Sequence, residues 1–596
     1  MKHTFNIIIL MLSTISSYSQ KHDYNWHLGY RTNDTEYLPH RGITNINFNT
    51  LSLNPSFKYD SFKIIDFDWT CNDMSDEDGN YLFSYNGYTV ENYLNQIIQN
   101  GKGGFSSQKT SKDVNYQGGL ILNLKRLNEF ILVHDKHNME LFSPNFQSDG
   151  LRYSLINIQH KINEGKVIKK DYKILEDTLD YGRLLSIKHA NGRDWWIIRG
   201  RYNMKSFYKF IVINDTVIIN DLQVIGEDQY LPLGGVTTSP NGKNIVYFHQ
   251  HVGPLHGLPG ENGFFINTFN FDRSSGILSN PKTLKISQDT GYLFGAAFSP
   301  NGKYLYVSRI NYIFQIDMTS DSLVLDTVAV FDAFNYISPG NFQIFTWFGF
   351  IERAPDGRIY GNTGCCTQQY LFYINKPNLK GKACDVRQHA IKITSHNNLP
   401  SFPNYRLGPI DGSPSDSLGI DNIPVAEFRY DQDTMNYRSI DFTNLSWYEA
   451  EEFWWDWGDG SPSYYSTVWD TSIIHTYAKD GIYEVCLRDK NKNGESTKCK
   501  KINIGTTATK DEADNPLIDI TLSPNPIREI LIIQVNDYLP EKMIMNLYDL
   551  HGNKITTKRL YEGSNIINTE SLSSGVYIVE IIERNRIVKS EKIMKI

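Results

Sequence analysis

His249-Gln250-His251, with His256 five residues further on, is the best candidate for metal chemistry in this chain. On a strand, His249 and His251 project to the same side. A turn at Gly253-Pro254 would bring His256 back toward them, and three imidazoles can hold zinc with a fourth position open. His-x-His also arises by chance on polar strands and loops, so the metal and the purely structural readings both stand. A second candidate is the acidic stretch Asp73–Gly79, whose three aspartates would suit a structural calcium ion. It lacks the downstream Glu of a calcium-binding loop, and Asp78-Gly79 reads equally well as a hairpin turn. Asp456 and Asp459 flank Gly458 and could be taken for a catalytic carboxylate pair. The chain contains no HExxH, no GxSxG and no GxxxxGK[ST], which leaves zinc proteolysis, a nucleophile elbow and a phosphate loop without a motif. No catalytic residue and no organic cofactor is assigned.

The six cysteines fall into two groups. Cys486 and Cys499 flank the expected hairpin Leu487–Lys498, where adjacent strands bring two Cα atoms within disulfide reach. They are expected to pair if the chain is in an oxidising compartment. Of the others, Cys365 and Cys366 are vicinal, and one of them could pair with Cys384. Cys71 has no obvious partner. Zinc held by cysteine is the sharper alternative, but there is no CxxC to support it.

The elements around these residues are β-strands. Tyr, Phe and Trp number 37, 31 and 10 in 596 residues, and flat rings pack well on pleated sheets. A formal net charge of −7 over this length is nearly balanced, and no basic stripe appears, which speaks against a nucleic-acid partner. Short β-rich runs around Asn-Gly or Asp-Gly recur at Asp78-Gly79, Asn191-Gly192, Asn241-Gly242, Asn301-Gly302 and Asp356-Gly357. The last four are spaced by 50, 60 and 55 residues, and two of them share SPNGK at Ser239 and Ser299. A period of that size built from strands indicates a β-propeller, and region 20–410 would hold about seven blades at about 55 residues each. This array resembles the WD40-like and YVTN-type propellers of bacterial surface proteins. Its sub-pattern, HANGRDWW at His189–Trp196 followed by SFPNYRLGPIDGSP at Ser401–Pro414, looks like the propeller that precedes PKD and sorting domains in many Bacteroidetes proteins. Trp195 and Trp196 should point to opposite faces of one strand, with core packing expected for at least one of them and for Trp347.

The Gly, Pro, Ser and Asp of residues 411–424 mark a linker, and 505–518 marks a second. Between them, Phe453, Trp455 and Trp457 alternate onto one face of a strand, leaving Trp454 and Asp456 on the other. WDWGDG followed by HTYAKDGIYEVCL at His475–Leu487 resembles the PKD domain, an immunoglobulin-like sandwich, over 425–504. The resemblance implies a spacer or contact module, in which Asp456 and Asp459 tie down a turn.

The remaining carboxyl-terminal strands read LSPNP at Leu522–Pro526, LYDLHGNKI at Leu547–Ile555 and LSSGVYIVEI at Leu572–Ile581. In this order and spacing they resemble the type A C-terminal sorting domain of the type IX secretion system of Bacteroidetes, over 519–596. The resemblance implies export across the outer membrane, with the secretion machinery as a partner. At the other end, Lys2 and His3 precede the apolar run Phe5–Leu12, and Ser17 and Ser19 suit cleavage before Gln20, giving a signal peptide over 1–19. That run is far shorter than the roughly 20 residues of a membrane span, and no transmembrane segment is expected elsewhere. The absence of Cys beside the cleavage site argues against a lipoprotein anchor.

The expected protein is therefore all-β: a propeller, an immunoglobulin-like sandwich and a small C-terminal sandwich. Two functions follow from it. One is an exported binding or adhesion protein whose propeller face engages an extracellular glycan or protein, with the PKD domain as spacer. The other is a secreted hydrolase or lyase acting on polysaccharide or peptide, with carboxylates or histidines converging at the propeller channel. Fold alone does not choose between them.

Overall fold

The computed structural model describes residues 20–30, 42–103, 116–136, 147–251, 263–287, 294–337, 343–396, 398–505 and 519–596, apart from brief gaps within these ranges. The expected signal peptide, His256, Cys365 and Cys366 lie outside the described residues. Helix is confined, among them, to one short 3₁₀ turn, Gly381–Cys384.

Seven antiparallel sheets follow one another along residues 25–396. The first has three strands, over 25–60, extended by a single bridge between Gly29 and Phe67. Six four-stranded meanders follow, over 72–102, 119–175, 185–224, 233–287, 294–330 and 348–396. The second and third join at their outer edges through one parallel pair, Lys166 with Gln99.

Hydrophobic packing arranges these sheets in a ring. A β-strand buried on both faces reads as a continuous apolar run, and the strands here behave that way, as in Trp195–Gly200, where every residue is buried. Trp195 packs toward Phe83, Leu120 and Phe130, whereas Trp196 packs toward Tyr247 and Phe269. The two rings therefore serve opposite neighbours, and both are buried, at 1% and 3% exposure. Phe248 and Phe264 of the fifth sheet meet Leu305 and Val307 of the sixth. Tyr306 and Ile313 of the sixth meet Phe348 and Phe372 of the seventh. Tyr360, Leu371 and Ile393 of the seventh then meet Trp26, Ile43 and Ile46 of the first. This last contact closes a seven-bladed propeller without any exchange of strands between its ends.

The recurring Asn-Gly and Asp-Gly turns join the first and second strands of five sheets. Their glycines have φ between +69° and +85°, a region costly for other residues. The two SPNGK copies are superposable in their bonding. In each, the Ser hydroxyl donates to the Asn side chain at 2.7 Å, and that Asn accepts the Lys backbone N–H at 3.0 Å.

The next domain is a sandwich of a three-stranded and a four-stranded sheet. Phe453, Trp455 and Trp457 fill its core with Phe428 and Phe442, and Trp454 is left partly exposed on the outer face. Cys486 and Cys499 face each other across the hairpin strands Gly481–Asn491 and Gly494–Ile504 and form a disulfide. Cys384 does not pair; it is buried beside Tyr306 as a free thiol, as is Cys71. Burial pushes the Cys384 thiol up to about 11.

The sandwich is not held at a distance from the propeller. Arg358, on the seventh sheet, donates to Asp431 of the sandwich at 2.7 Å, and also to Asp356 at 3.0 Å, Asn375 at 2.9 Å and Asn54 at 3.1 Å. Lys376 pairs with Asp441 at 2.5 Å, and Arg429 donates to the Asn375 carbonyl at 2.8 Å. The segment 411–424 is itself tied down: Asn422 donates to the Pro409 carbonyl at 2.6 Å, and Asn493 donates to Asp411 at 2.5 Å. The expected spacer is thus a docked domain.

The C-terminal domain packs a three-stranded sheet against a four-stranded one around Leu531, Ile533, Met545, Leu547, Val579 and Ile581. Alternation in the motif LSSGVYIVEI places Tyr577, Val579 and Ile581 inside, and Asp549 in LYDLHGNKI caps its own turn by accepting the Asn553 N–H at 2.9 Å. Among the described residues no helix is long and apolar enough to cross a membrane.

Candidate functional site: the propeller channel

The first strand of each sheet lies nearest the axis. Leu120, Leu185, Ser186, Val236, Thr238, Phe298, Glu352 and Arg353 from five such strands line one central cavity. Close approach of these strands requires small residues. A Cβ on Gly295 would lie 2.5 Å from the Ile351 nitrogen, so the sixth and seventh inner strands nearly touch there.

The channel is occupied by the protein's own chain. After the seventh sheet, residues 398–410 cross the ring, and Ser401, Phe402, Pro403, Asn404 and Arg406 line the axial cavity. Asn398 donates to the Trp69 carbonyl at 2.7 Å, and the Ser401 N–H to the Cys71 carbonyl at 3.1 Å. Phe402 stacks on Trp26 at 5.9 Å. Asn404 donates to the Pro240 carbonyl at 2.7 Å, and the Tyr405 hydroxyl to the Ile121 carbonyl at 2.7 Å. Arg406 makes a two-pronged pair with Asp23 at 2.9 and 2.5 Å. Lys188 donates to the Tyr405 carbonyl at 2.9 Å, Arg273 to the Gly408 carbonyl at 2.5 Å, and the Ile410 N–H to the Ala190 carbonyl at 2.8 Å. Phe298 and Glu352 of the sixth and seventh sheets line the same cavity as Ser401–Asn404 and Arg406. It begins in the motif SFPNYRLGPIDGSP; sequence reasoning registered that motif without foreseeing that it fills the axis.

What remains is a cavity of about 60 Å³. By the same measure one water needs roughly 10–15 Å³, so the space suits a few waters and not a hexose. Four ionisable side chains line it: Asp23, Glu352, Arg353 and Arg406. Burial pushes the Glu352 carboxyl up to about 8, against the opposing pull of the Arg353 guanidinium, and burial lowers Arg353 to about 10. A carboxyl held neutral at pH 7 suits a general acid; the other carboxylate lining the cavity, Asp23, is held in its two-pronged pair with Arg406.

The histidine candidate is not assembled as a site among the described residues. His249 is buried on the strand Asn244–His251 and stacks on Phe265 at 5.4 Å. The His251 side chain and His256 lie outside the described residues, and no group of three or more His, Cys, Asp or Glu among the described residues is placed to hold a metal ion. In the acidic stretch, Asp73 and Asp76 have protein partners. Asp73 accepts from the His27 N–H at 2.8 Å and bonds the His27 ring at 2.9 Å; Asp76 accepts the N–H groups of Asp78 and Asn80 at 3.0 and 2.8 Å. Asp456 accepts the Gly458 N–H at 3.0 Å, and Asp459 accepts the Ser461 N–H at 3.0 Å and bonds His475 at 2.8 Å. These are turn-tying contacts. His475 in turn lies flat on Trp457, with centroids 4.6 Å apart.

One aromatic group departs from expectation. Trp347 is half-buried, belongs to no hydrophobic cluster among the described residues, and stacks on Phe345 at 5.2 Å with 8° between planes. It follows a two-stranded hairpin, Asn335–Ile337 with Gln343–Phe345, inserted between the sixth and seventh sheets.

The ring of sheets with its filled axis defines an exported, multidomain all-β protein built on a propeller once the other two domains are considered. Residues 422–505 match the PKD domain family, and residues 521–596 match the secretion system C-terminal sorting domain family. The chain therefore carries a type IX sorting domain, is exported to the cell surface or beyond, and engages that secretion machinery. A comparison with curated proteins finds no match. Solved structures that share features include a Bacteroides uniformis protein provisionally assigned as a 6-phosphogluconolactonase, at 13% identity, covering 63% of this chain and 99% of that one with a TM-score of 0.35. A β-propeller domain of Swd1 from Myceliophteria thermophila follows at 12% identity, 54% and 87% coverage and a TM-score of 0.27. An exo-β-1,3-galactanase from Phanerochaete chrysosporium is similar at 6% identity, 85% and 98% coverage and 0.28. At these scores none of the three bears on function, and the propeller assignment rests on the ring of sheets itself.

Proposed function

We propose that this is an exported binding or adhesion protein that engages an extracellular glycan or protein with its outer surface, while its sorting domain directs export. The observation that carries this reading is the filled channel. Propeller enzymes assemble their sites where several inner strands converge, and here that space holds Ser401–Arg406 and a water-sized cavity. The docked PKD domain extends the rigid surface available for contact instead of lengthening a tether. The raised Glu352 carboxyl is the one feature that favours a hydrolase, and it faces too little room for a sugar ring.

The test is an array of glycans, polysaccharides and extracellular proteins probed with the mature chain, with the same samples assayed for released sugars and peptides. Binding without release is the expected outcome. Release of product, abolished by Glu352→Gln, would replace this reading with the enzymatic one.

A further inference from the structure

The axial cavity is walled by donors that the protein itself does not use. Ser186, on the first strand of the fourth sheet, Leu185–Lys188, lines the cavity and is 1% exposed. Its buried Oγ has no hydrogen-bond partner in the protein. Arg353 ends the first strand of the seventh sheet, Phe348–Arg353, and lines the same space. Its Nη1 is likewise buried and unpartnered, and no carboxylate among the described residues lies within ion-pairing distance of its guanidinium. The fourth and seventh sheets stand three places apart in a ring of seven, so the two donors reach the cavity from nearly opposite sides. A buried donor left unpaired is destabilising, and a buried charge left unpaired more so. Two such donors on one cavity call for an acceptor inside it.

The charge balance says which acceptor. Asp23 and Arg406 cancel in their two-pronged pair. Burial keeps the Glu352 carboxyl protonated at neutral pH. Arg353 therefore leaves one uncompensated positive charge on the cavity wall. Water accepts a hydrogen bond but brings no charge, whereas an anion supplies both. A guanidinium presents its N–H groups as a planar fork that matches two oxygens of a planar oxyanion. The space of about 60 Å³, set against roughly 10–15 Å³ for one water, takes an ion of about three or four heavy atoms.

We infer that the propeller axis binds a small planar oxyanion of the carboxylate type, formate or acetate in size, held between Arg353 and the Ser186 hydroxyl. Glu352, while protonated, adds a donor on the same wall. This site is independent of whatever the outer surface engages.

The experiment titrates sodium formate into the mature chain at pH 7, with sodium gluconate, too large for the cavity, holding the ionic strength constant. The unfolding midpoint is read by circular dichroism, and bound formate by saturation-transfer NMR on its single proton. A saturable rise in midpoint with saturation transfer is expected in the wild type, since a ligand that binds only the folded state stabilises it. Arg353→Met should abolish both, and Ser186→Ala should raise the dissociation constant about tenfold, the worth of one hydrogen bond to a charged group. In gluconate alone the midpoint of Ser186→Ala should match or exceed the wild type, because the hydroxyl it loses has no partner in the protein; this variant decides the matter if Arg353→Met does not fold. Raising the pH from 7 to 9 ionises Glu352 and should weaken formate binding, and Glu352→Gln should hold the affinity constant over that range. Arg353, Asp23 and Arg406 are the other charged groups facing Glu352, and Arg353 keeps its proton to about 10. A midpoint that follows formate no more than gluconate, with no saturation transfer, would overturn the inference and leave water as the occupant. Wild-type affinity in either Arg353→Met or Ser186→Ala would overturn the site, and an affinity unchanged between pH 7 and 9 would overturn the charge balance behind the ligand class.

Discussion

Glu352 and Lys188 show how burial at the axis sets opposite pH responses. The Glu352 carboxyl is raised to about 8 by burial, so the folded protein binds this proton more tightly than the unfolded chain does. Its contribution therefore falls as pH rises from the ordinary carboxylate range through about 8. Lys188 is lowered to about 7, first by burial and then by Arg273. The folded state releases that proton early, and stability rises with pH between about 7 and the ordinary lysine range. Glu352→Gln should remove the first slope and Lys188→Met the second, each measured as the unfolding midpoint from pH 5 to 10; an unchanged profile in either variant would show that its group titrates normally. Tyr405 offers a check on the axis itself. Tyr405→Phe leaves the Ile121 carbonyl without its donor and should cost about 1–2 kcal/mol in denaturant unfolding.

At the scale of elements, the hairpin holding Cys486 and Cys499 is already zipped by the pairing of Gly481–Asn491 with Gly494–Ile504. Replacing both cysteines with Ser should therefore cost no more than the about 3 kcal/mol of a short loop, seen as a lower midpoint for the PKD domain in a reducing-agent-free melt, with its fold retained by circular dichroism. The parts of the fold legible in the sequence were those with a local cause. The SPNGK turns announced themselves because a left-handed Gly after Asn is needed at each copy, and the strand at Phe453–Trp457 did so because alternation of rings is a period of two. Residues 401–406 and the hairpin at 335–345 carried no such period. Tyr405 acts through Ile121 and Arg406 through Asp23, partners hundreds of positions away, and no short window records them. Trp347 was misjudged because composition cannot tell a ring that fills a core from one left at a surface.

Across the whole molecule, the propeller and the PKD domain share buried charges. Arg358→Ala leaves Asp431 with Arg429 as its remaining ion-pair partner at 3.0 Å and removes the bond across the contact, which should cost about 1–3 kcal/mol; calorimetry should then resolve two transitions where the wild type shows one for these domains. At the same scale, removing residues 519–596 should leave the chain inside the cell envelope, detected by fractionation, because the sorting domain carries the address for the outer-membrane step.

The way the ring closes has a consequence in time. Trp26, Ile43 and Ile46 on the first sheet share their core with Tyr360, Leu371 and Ile393, which are made more than three hundred residues later. On a ribosome adding about 5–20 residues per second, the second half of that contact appears roughly 15–70 s after the first. The axial segment comes later still. Through that interval a nascent chain bound for export offers an adhesive flank to any neighbour, and a holding chaperone that favours aromatic β-strands has its natural client here.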